Sequence, residues 1–386
     1  MAHCALQRLS LLHCPSKPQN QISSFTQPSS PLSHPWIRQR GFPGSIPSGV
    51  SLHCSSESRR LGLQAAPIQA QSSLVDIDYT EMGAVEDASS KRYAVVTGSN
   101  KGIGLETVRQ LALQGVTVVL TARNEKRGLE ATSSLHGSGL SNVIFHQLDV
   151  LDPNSIESLA EFVLTKFERL DILVNNAGAS GVIVDEDALR AMTIDPASWL
   201  SGKATNLVQG VIKTTYEKAR ECVDTNYYGC KRVTEALLPC LLRSPTGAKI
   251  VNVSSLRSEL RRVPSEEKRS ILADIDTLTE DKLDNLLQSF LNDLKDDALE
   301  ANGWCIMLPA YSISKVTLNA YTRLLAKKYP SMYVNCVHPG FVDTDINWHT
   351  GTMTLEEGAR GSVMLSLLPE GGPSGCYFDQ TTVAEF

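Results

Sequence analysis

No stretch of this chain approaches the uninterrupted apolar length that a membrane-crossing helix needs, so no membrane span is expected. No basic run is long enough to neutralise a phosphate backbone, and a formal charge of −6 argues against nucleic acid as the main partner. The nine cysteines, Cys4, Cys14, Cys54, Cys222, Cys230, Cys240, Cys305, Cys336 and Cys376, make no C-x-x-C pair and show no His-Cys ligand spacing. Free thiols in a reducing compartment fit that pattern, and a metal site does not. An internal repeat is also missing. What remains, 386 residues with 42% hydrophobic content, suffices for one large α/β domain or two small ones.

Acid is absent from residues 1 to 56, where Ser and Pro recur and Arg8, Lys17, Arg38 and Arg40 scatter positive charge. Such a composition cannot form a core. Through residue 70 six basic residues meet one acid, Glu57, so this piece carries +5 and the remainder −11. Ser-rich, acid-poor, basic segments look like organelle import peptides, and the lack of a long apolar h-region argues against secretion. Residues 1–88 are therefore expected to be a disordered, transit-peptide-like leader and linker that directs the protein to the plastid stroma. The alternative is a non-targeting tail on a cytosolic protein.

Organised sequence begins near Lys91, and the domain is expected over 89–386. Short apolar, β-branched runs (Tyr93 to Thr97, Val116 to Thr121, Val143 to Leu148, Ile172 to Val174, Ile250 to Val253, Tyr333 to Val337 and Cys376 to Phe378) alternate with helix-length segments such as Gly102 to Gln114 and Pro153 to Phe167. Strand and helix repeated in this way give an α/β fold, one doubly wound parallel sheet covered on both faces. Ligands in such sheets bind at the carboxyl ends of the strands.

Two stretches carry chemistry at such places. Thr97-Gly98-Ser99-Asn100-Lys101-Gly102-Ile103-Gly104 follows the first strand and opens a helix. Its glycines allow a tight turn and let backbone N–H groups approach a pyrophosphate. Tyr311-Ser312-Ile313-Ser314-Lys315 starts a helical run to Lys328. A spacing of four stacks phenol and ammonium on one face, roughly 6 Å apart along the axis. The cation is expected to favour the ionised phenol and draw its pKa from about 10 toward the working range.

With Asn175-Asn176-Ala177-Gly178 after the fourth strand, Ser254-Ser255 after the fifth and Pro339-Gly340-x-Val342-x-Thr344 after the sixth, the chain resembles the short-chain dehydrogenase/reductases over residues 91 to 380. Within them it is most similar to the monomeric carbonyl reductase branch that includes plant salutaridine reductase and the menthone/neomenthol reductases. TGSNKGIG, LTARN, LVNNAG, DTNYYG and a long insert before Tyr311 carry that closer match. The resemblance implies a Rossmann-like domain and a nicotinamide site. That site would be built from Gly98, Ser99, Asn100, Lys101, Gly102, Ile103, Gly104, Arg123, Asp149, Val150, Asn176, Ala177, Gly178, Tyr311, Lys315, Pro339, Gly340, Val342 and Thr344.

An NAD site usually has an acid at the end of its second strand, where this chain has Thr121-Ala122-Arg123. Arg123 and Lys101, two cations facing a 2′-phosphate, lead us to expect NADPH. By resemblance Asp149 would hydrogen-bond the adenine, although it could instead cap the helix at Pro153, for which Asp152 is better placed. The resemblance further implies a catalytic set. Tyr311 would donate a proton to the carbonyl oxygen, Lys315 would lower the phenol pKa and hold the ribose, and Ser255, with Ser254 as its rival, would orient the substrate oxygen. Asn226 would kink its helix around a proton-relaying water. His338 is counted structural.

The expected activity is NADPH-dependent reduction of a lipophilic ketone or aldehyde to an alcohol. The alternative is an idle NADP(H)-sensing protein, which the complete catalytic set disfavours. Fifty-six positions separate Ser255 from Tyr311. Within this insert, about 257–308, residues Thr279 to Leu294 carry Leu283, Leu286, Leu287, Phe290, Leu291 and Leu294 as an apolar stripe. The insert is positioned over the surface through which oligomeric relatives pair, so a monomer is expected, with a substrate lid on a dimer as the alternative. Trp199, Leu200, Phe341, Ile346 and Trp348 could wall an apolar pocket.

Overall fold

The computed structural model describes residues 91–386. The leader expected at residues 1–88 lies outside the described residues. The first half of the domain alternates β1 (Tyr93–Val96), α1 (Gly102–Leu113), β2 (Thr117–Ala122), α2 (Glu125–Gly137), β3 (Val143–Gln147), α3 (Pro153–Phe167) and β4 (Ile172–Asn175). Every residue of β2 and β4 is buried. Strands covered on both faces need apolar side chains at successive positions, which explains their unbroken runs of Val, Leu and Ile. α3 starts where Asp152 accepts a hydrogen bond from the Asn154 N–H at 3.0 Å, with Pro153 at its first turn, so Asp152 and not Asp149 is the cap.

A longer excursion follows: β5 (Ile183–Val184), α4 (Glu186–Ala191), α5 (Pro196–Ser201) and β6 (Ile212–Lys213), with β5 and β6 paired as a separate two-stranded antiparallel sheet. α6 (Tyr216–Val223) then runs through a π-helical turn, Asp224–Gly229, into α7 (Cys230–Leu241). The wider turn frees main-chain groups, and Arg232 answers one of them by donating to the Asp224 carbonyl at 3.1 Å. Gly229 is required inside the turn, since a Cβ there would sit 2.9 Å from Val150 Cγ2.

The second half comprises β7 (Lys249–Val253), α8 (Glu266–Ala273), α9 (Glu280–Lys295), α10 (Pro309–Lys328), β8 (Tyr333–His338), α11 (Leu355–Ser366), β9 (Tyr377–Asp379) and β10 (Thr382–Ala384). The main sheet has the order β10-β9-β8-β7-β4-β1-β2-β3, parallel throughout except for β10 against β9. All seven strands expected from sequence are present with ends shifted by a residue or so. The edge strand β10 was not expected. Only Thr382, Val383 and Ala384 form it, none of them is buried, and so the segment has no hydrophobic pattern to betray it.

The insert carries α8 and α9. Leu283, Leu286, Leu287, Phe290 and Leu291 of α9 are buried against the cluster that holds Tyr227, Leu237, Tyr321 and Leu325. Burying each of these side chains contributes about 2 kcal/mol relative to exposure. Polar contacts fix the register, with Lys231 on α7 lying 2.8 Å from Glu280 and 3.6 Å from Asp284. Among the described residues no helix is long and apolar enough to cross a membrane.

Candidate active site

One continuous cavity of about 500 Å³ among the described residues opens along the carboxyl ends of β1, β2, β4, β7 and β8. At one end lies the glycine turn. Gly98 and Gly102 hold φ of +60° and +59°, in the left-handed region that favours glycine. Gly104 has no room for a Cβ, which would stand 2.4 Å from Asn176 Nδ2 and 2.9 Å from Ser99 Cα. The turn is fastened to the end of β4: the Asn176 amide donates to the Thr97 and Gly98 carbonyls at 2.9 and 3.1 Å. The Thr97 hydroxyl accepts the N–H groups of Asn176 and Ala177 at 2.9 and 3.0 Å. α1 begins with no side-chain cap, so its first N–H groups remain available to an anion.

Of the residues read from sequence as cofactor ligands, Ser99 alone does not line this cavity. Its hydroxyl donates to the Val96 carbonyl at 2.8 Å and accepts the Thr121 N–H at 3.0 Å, stitching β1 to β2. Asn100, Ile103, Arg123, Asp149, Val150, Gly178, Pro339, Gly340, Val342 and Thr344 all lie along its wall. Lys101 does too, but its ammonium pairs with Asp345 from the loop after β8, a partner that no spacing in the sequence indicates. Asp345 in turn meets His349, 3.2 Å away.

At the other end α10 delivers Tyr311 and Lys315. Lys315 is 4% exposed, stands 5.7 Å from the centre of the Tyr311 ring and donates to the Val253 carbonyl at 2.7 Å. Ser255 accepts the Arg257 N–H at 3.1 Å, which turns the chain after β7, and it lines the cavity together with Tyr311. Ser254 is buried and donates to Asn319 Oδ1 at 2.5 Å, so its proton is already engaged. Asn226 is buried in the π turn and does not line the cavity. Its Oδ1 accepts the Ala179 N–H at 2.8 Å and its Nδ2 donates to the Ala179 carbonyl and the Ser314 hydroxyl at 3.1 and 3.0 Å. It therefore ties the loop after Gly178 to α10 beside Tyr311.

The expected acidification of the phenol is not what the protein displays. Burial pushes Tyr311 up to about 12, against smaller opposing pulls from the nearby Ser255 hydroxyl and the Arg257 charge. Lys315 is deprived of water as well, and burial brings it down to about 8. Its charge faces the ring while its hydrogen bond goes to Val253, which explains why proximity in the helix did not translate into an acidic phenol. Burial also lowers His338 to about 4, leaving a neutral ring at physiological pH.

Trp199, Leu200, Leu308, Phe341, Ile346 and Trp348 form the apolar wall beyond Tyr311. Trp199 is 5% exposed and belongs to a satellite core with Leu189, Ala204, Val208 and Met307. Sequence reading missed two residues. Arg257, buried in this wall, looks in sequence like an ordinary surface arginine after a strand. Cys222 Sγ accepts the Asn226 amide at 3.2 Å, and only its position four residues before Asn226 on one helical face hints at this.

The residues present fit a dinucleotide: glycines that leave no room for side chains, an uncapped helix start, and a guanidinium where a ribose would end. Residues 92–265 match the short chain dehydrogenase family model. The chain is 52% identical over 300 residues to "Short-chain dehydrogenase/reductase 1" of Saponaria officinalis, covering 77% of this chain and 97% of that one. It is 49% identical to (+)-neomenthol dehydrogenase of Arabidopsis thaliana, over 76% of this chain and 98% of the relative. The solved structure of salutaridine reductase from Papaver somniferum superposes with a TM-score of 0.70 at 46% identity, covering 75% of this chain and 99% of that one. The chain belongs to the short-chain dehydrogenase/reductase family, and is an oxidoreductase that works with a nicotinamide cofactor.

Proposed function

We propose that the protein uses NADPH to reduce a lipophilic ketone or aldehyde to the alcohol. The observation that carries this is the convergence of Tyr311, Ser255 and Lys315 on one cavity with the glycine turn and Arg123. The bound nicotinamide supplies the hydride. Ser255 orients the carbonyl oxygen, and Tyr311, protonated because burial raises its pKa, gives its proton to the developing alkoxide. Lys315 would hold the ribose, while Asn226 fixes the loop and helix around the pair. Arg123 would hold the 2′-phosphate, with Lys101, now paired with Asp345, as a second cation at the same end of the cavity.

The wall of Trp199, Leu200, Phe341 and Trp348 favours an apolar substrate. Relatives named as reductases and dehydrogenases favour catalysis over cofactor sensing. The outer faces of α6 and α10 are covered by this chain's own α9, which supports a monomer, and the composition of residues 1–88 supports import into the plastid. The test is cofactor oxidation by the purified protein against hydrophobic ketones, aldehydes and quinones. Turnover faster with NADPH than with NADH supports the proposal, and no turnover with any carbonyl overturns it.

A further inference from the structure

Arg257 stands two residues beyond Ser255, in the short 3-10 turn Leu256–Ser258 that follows β7. It is 8% exposed and lines the cavity together with Tyr311, Trp199 and Leu308. One Nη donates to the Trp199 carbonyl in the last turn of α5, which orients the guanidinium. Among the described residues no carboxylate pairs with it. The nearest acid in sequence, Glu259, is held by Arg261 at 2.8 Å and by Arg262 at 2.7 Å. Buried cations are seldom left without an anion, because desolvation costs several kcal/mol per charge. None of the arginine's other nitrogens is sealed in protein without a partner, and the residue lines the cavity, so a donor is left for a ligand bound there. The cofactor's phosphates do not account for them: the glycine turn and Arg123 follow β1 and β2, and β4 separates β7 from both.

We propose that Arg257 determines specificity by receiving a carboxylate carried on the same molecule as the carbonyl, which makes the preferred substrate an apolar keto or oxo acid. The body of such a molecule lies along Trp199, Leu200 and Phe341, its carbonyl meets Ser255 and Tyr311, and its carboxylate closes on the free edge of the guanidinium. A planar fork with two donors presented side by side matches a carboxylate better than a single carbonyl oxygen. This proposal rests on the reductase reading above.

The test compares phenyl keto acids, with the carboxylate one to about four carbons from the ketone, against their methyl esters, in the wild-type protein and in Arg257→Met and Arg257→Lys. The wild type is expected to prefer at least one acid over its ester by about tenfold or more in kcat/KM. Arg257→Met should lose that preference, with the acid falling to the rate of its own ester in the same variant, and Arg257→Lys should retain part of it. Equal preference for acid and ester in the wild type, or equal loss on both in Arg257→Met with NADPH binding intact, overturns the assignment. If Arg257→Met no longer binds NADPH, the wild-type protein decides: phenylalkyl carboxylates without a ketone must inhibit competitively with the carbonyl, and their esters must not. Turnover of esters without acid preference removes only the role of Arg257, whereas no turnover of any carbonyl removes the reductase reading itself.

Discussion

Lys315 Nζ lies 5.7 Å from the centre of the Tyr311 ring but gives its hydrogen bond to the Val253 carbonyl, 2.7 Å away. Both groups are displaced toward their neutral forms by burial, Tyr311 up to about 12 and Lys315 down to about 8. A phenol that keeps its proton suits a donor in the reductive direction. The lysine, by contrast, sits close to losing its charge in the range where enzymes work.

The pH profile follows from that. As pH rises through about 8, Lys315 deprotonates and its hold on the ribose weakens. kcat/KM for NADPH reports the free enzyme, and it is expected to be level near neutrality and to decline by about tenfold per pH unit above the lysine's pKa. A profile that stays level to pH ~10, near an unperturbed lysine's pKa, would contradict this.

The same burial acts on stability. Because the folded-state pKa of Lys315 is depressed, the unfolded chain binds more protons between about 8 and 10.5, and the cost of burying the ammonium is present in full below 8 and fades across that window. Lys315→Met should therefore stabilise the cofactor-free protein near pH 7 by about 1–2 kcal/mol, net of the orphaned Val253 carbonyl, while abolishing turnover. Urea midpoints of the two proteins check this. A lower midpoint for the variant would count against it, and the gain should shrink toward pH 10.5.

Gly104→Ala places a methyl group 2.4 Å from Asn176 Nδ2 and 2.9 Å from the Ser99 backbone. Relieving the overlap pushes the amide off the Thr97 and Gly98 carbonyls, a loss of about 3 kcal/mol in stability together with the anion-binding geometry. NADPH titration by fluorescence should show at least about tenfold weaker binding. Unchanged affinity would mean that the glycine turn does not hold the cofactor.

Arg123→Ala should lower kcat/KM with NADPH by about tenfold or more and leave NADH within a few-fold, since only the 2′-phosphate contact is lost. Lys101→Ala should do less, because its charge already answers Asp345. Equal losses with both cofactors on removing Arg123 would place the arginine outside the 2′-phosphate site.

How far the sequence could be read depended on what each feature obeys. The seven parallel strands and the stripe of α9 follow hydrophobic period, which burial enforces, and they stand where the period places them. Tyr311, Ser255, Gly98 and Arg123 were legible because each must occupy a strand end or a helix face fixed by that same period. β10 was not legible, being three residues that bury nothing. Nor were the partners of Ser99, Lys101 and Asn226, because they come from segments 22, 244 and 47 positions away. Arg257 escaped for a related reason: sequence gives a residue type, and only packing makes a buried, unpaired cation of it.

The most direct measurement is NADPH oxidation with an accepted carbonyl substrate by the full-length wild type and by Tyr311→Phe, alongside NADPH binding to both. The account predicts turnover reduced by at least about a thousandfold in the variant, with binding within about threefold, because the hydroxyl removed is the proton donor while the glycine turn, Arg123 and Lys315 remain to hold the cofactor. Turnover in Tyr311→Phe within tenfold of the wild type, about 1.4 kcal/mol in the barrier, would contradict it.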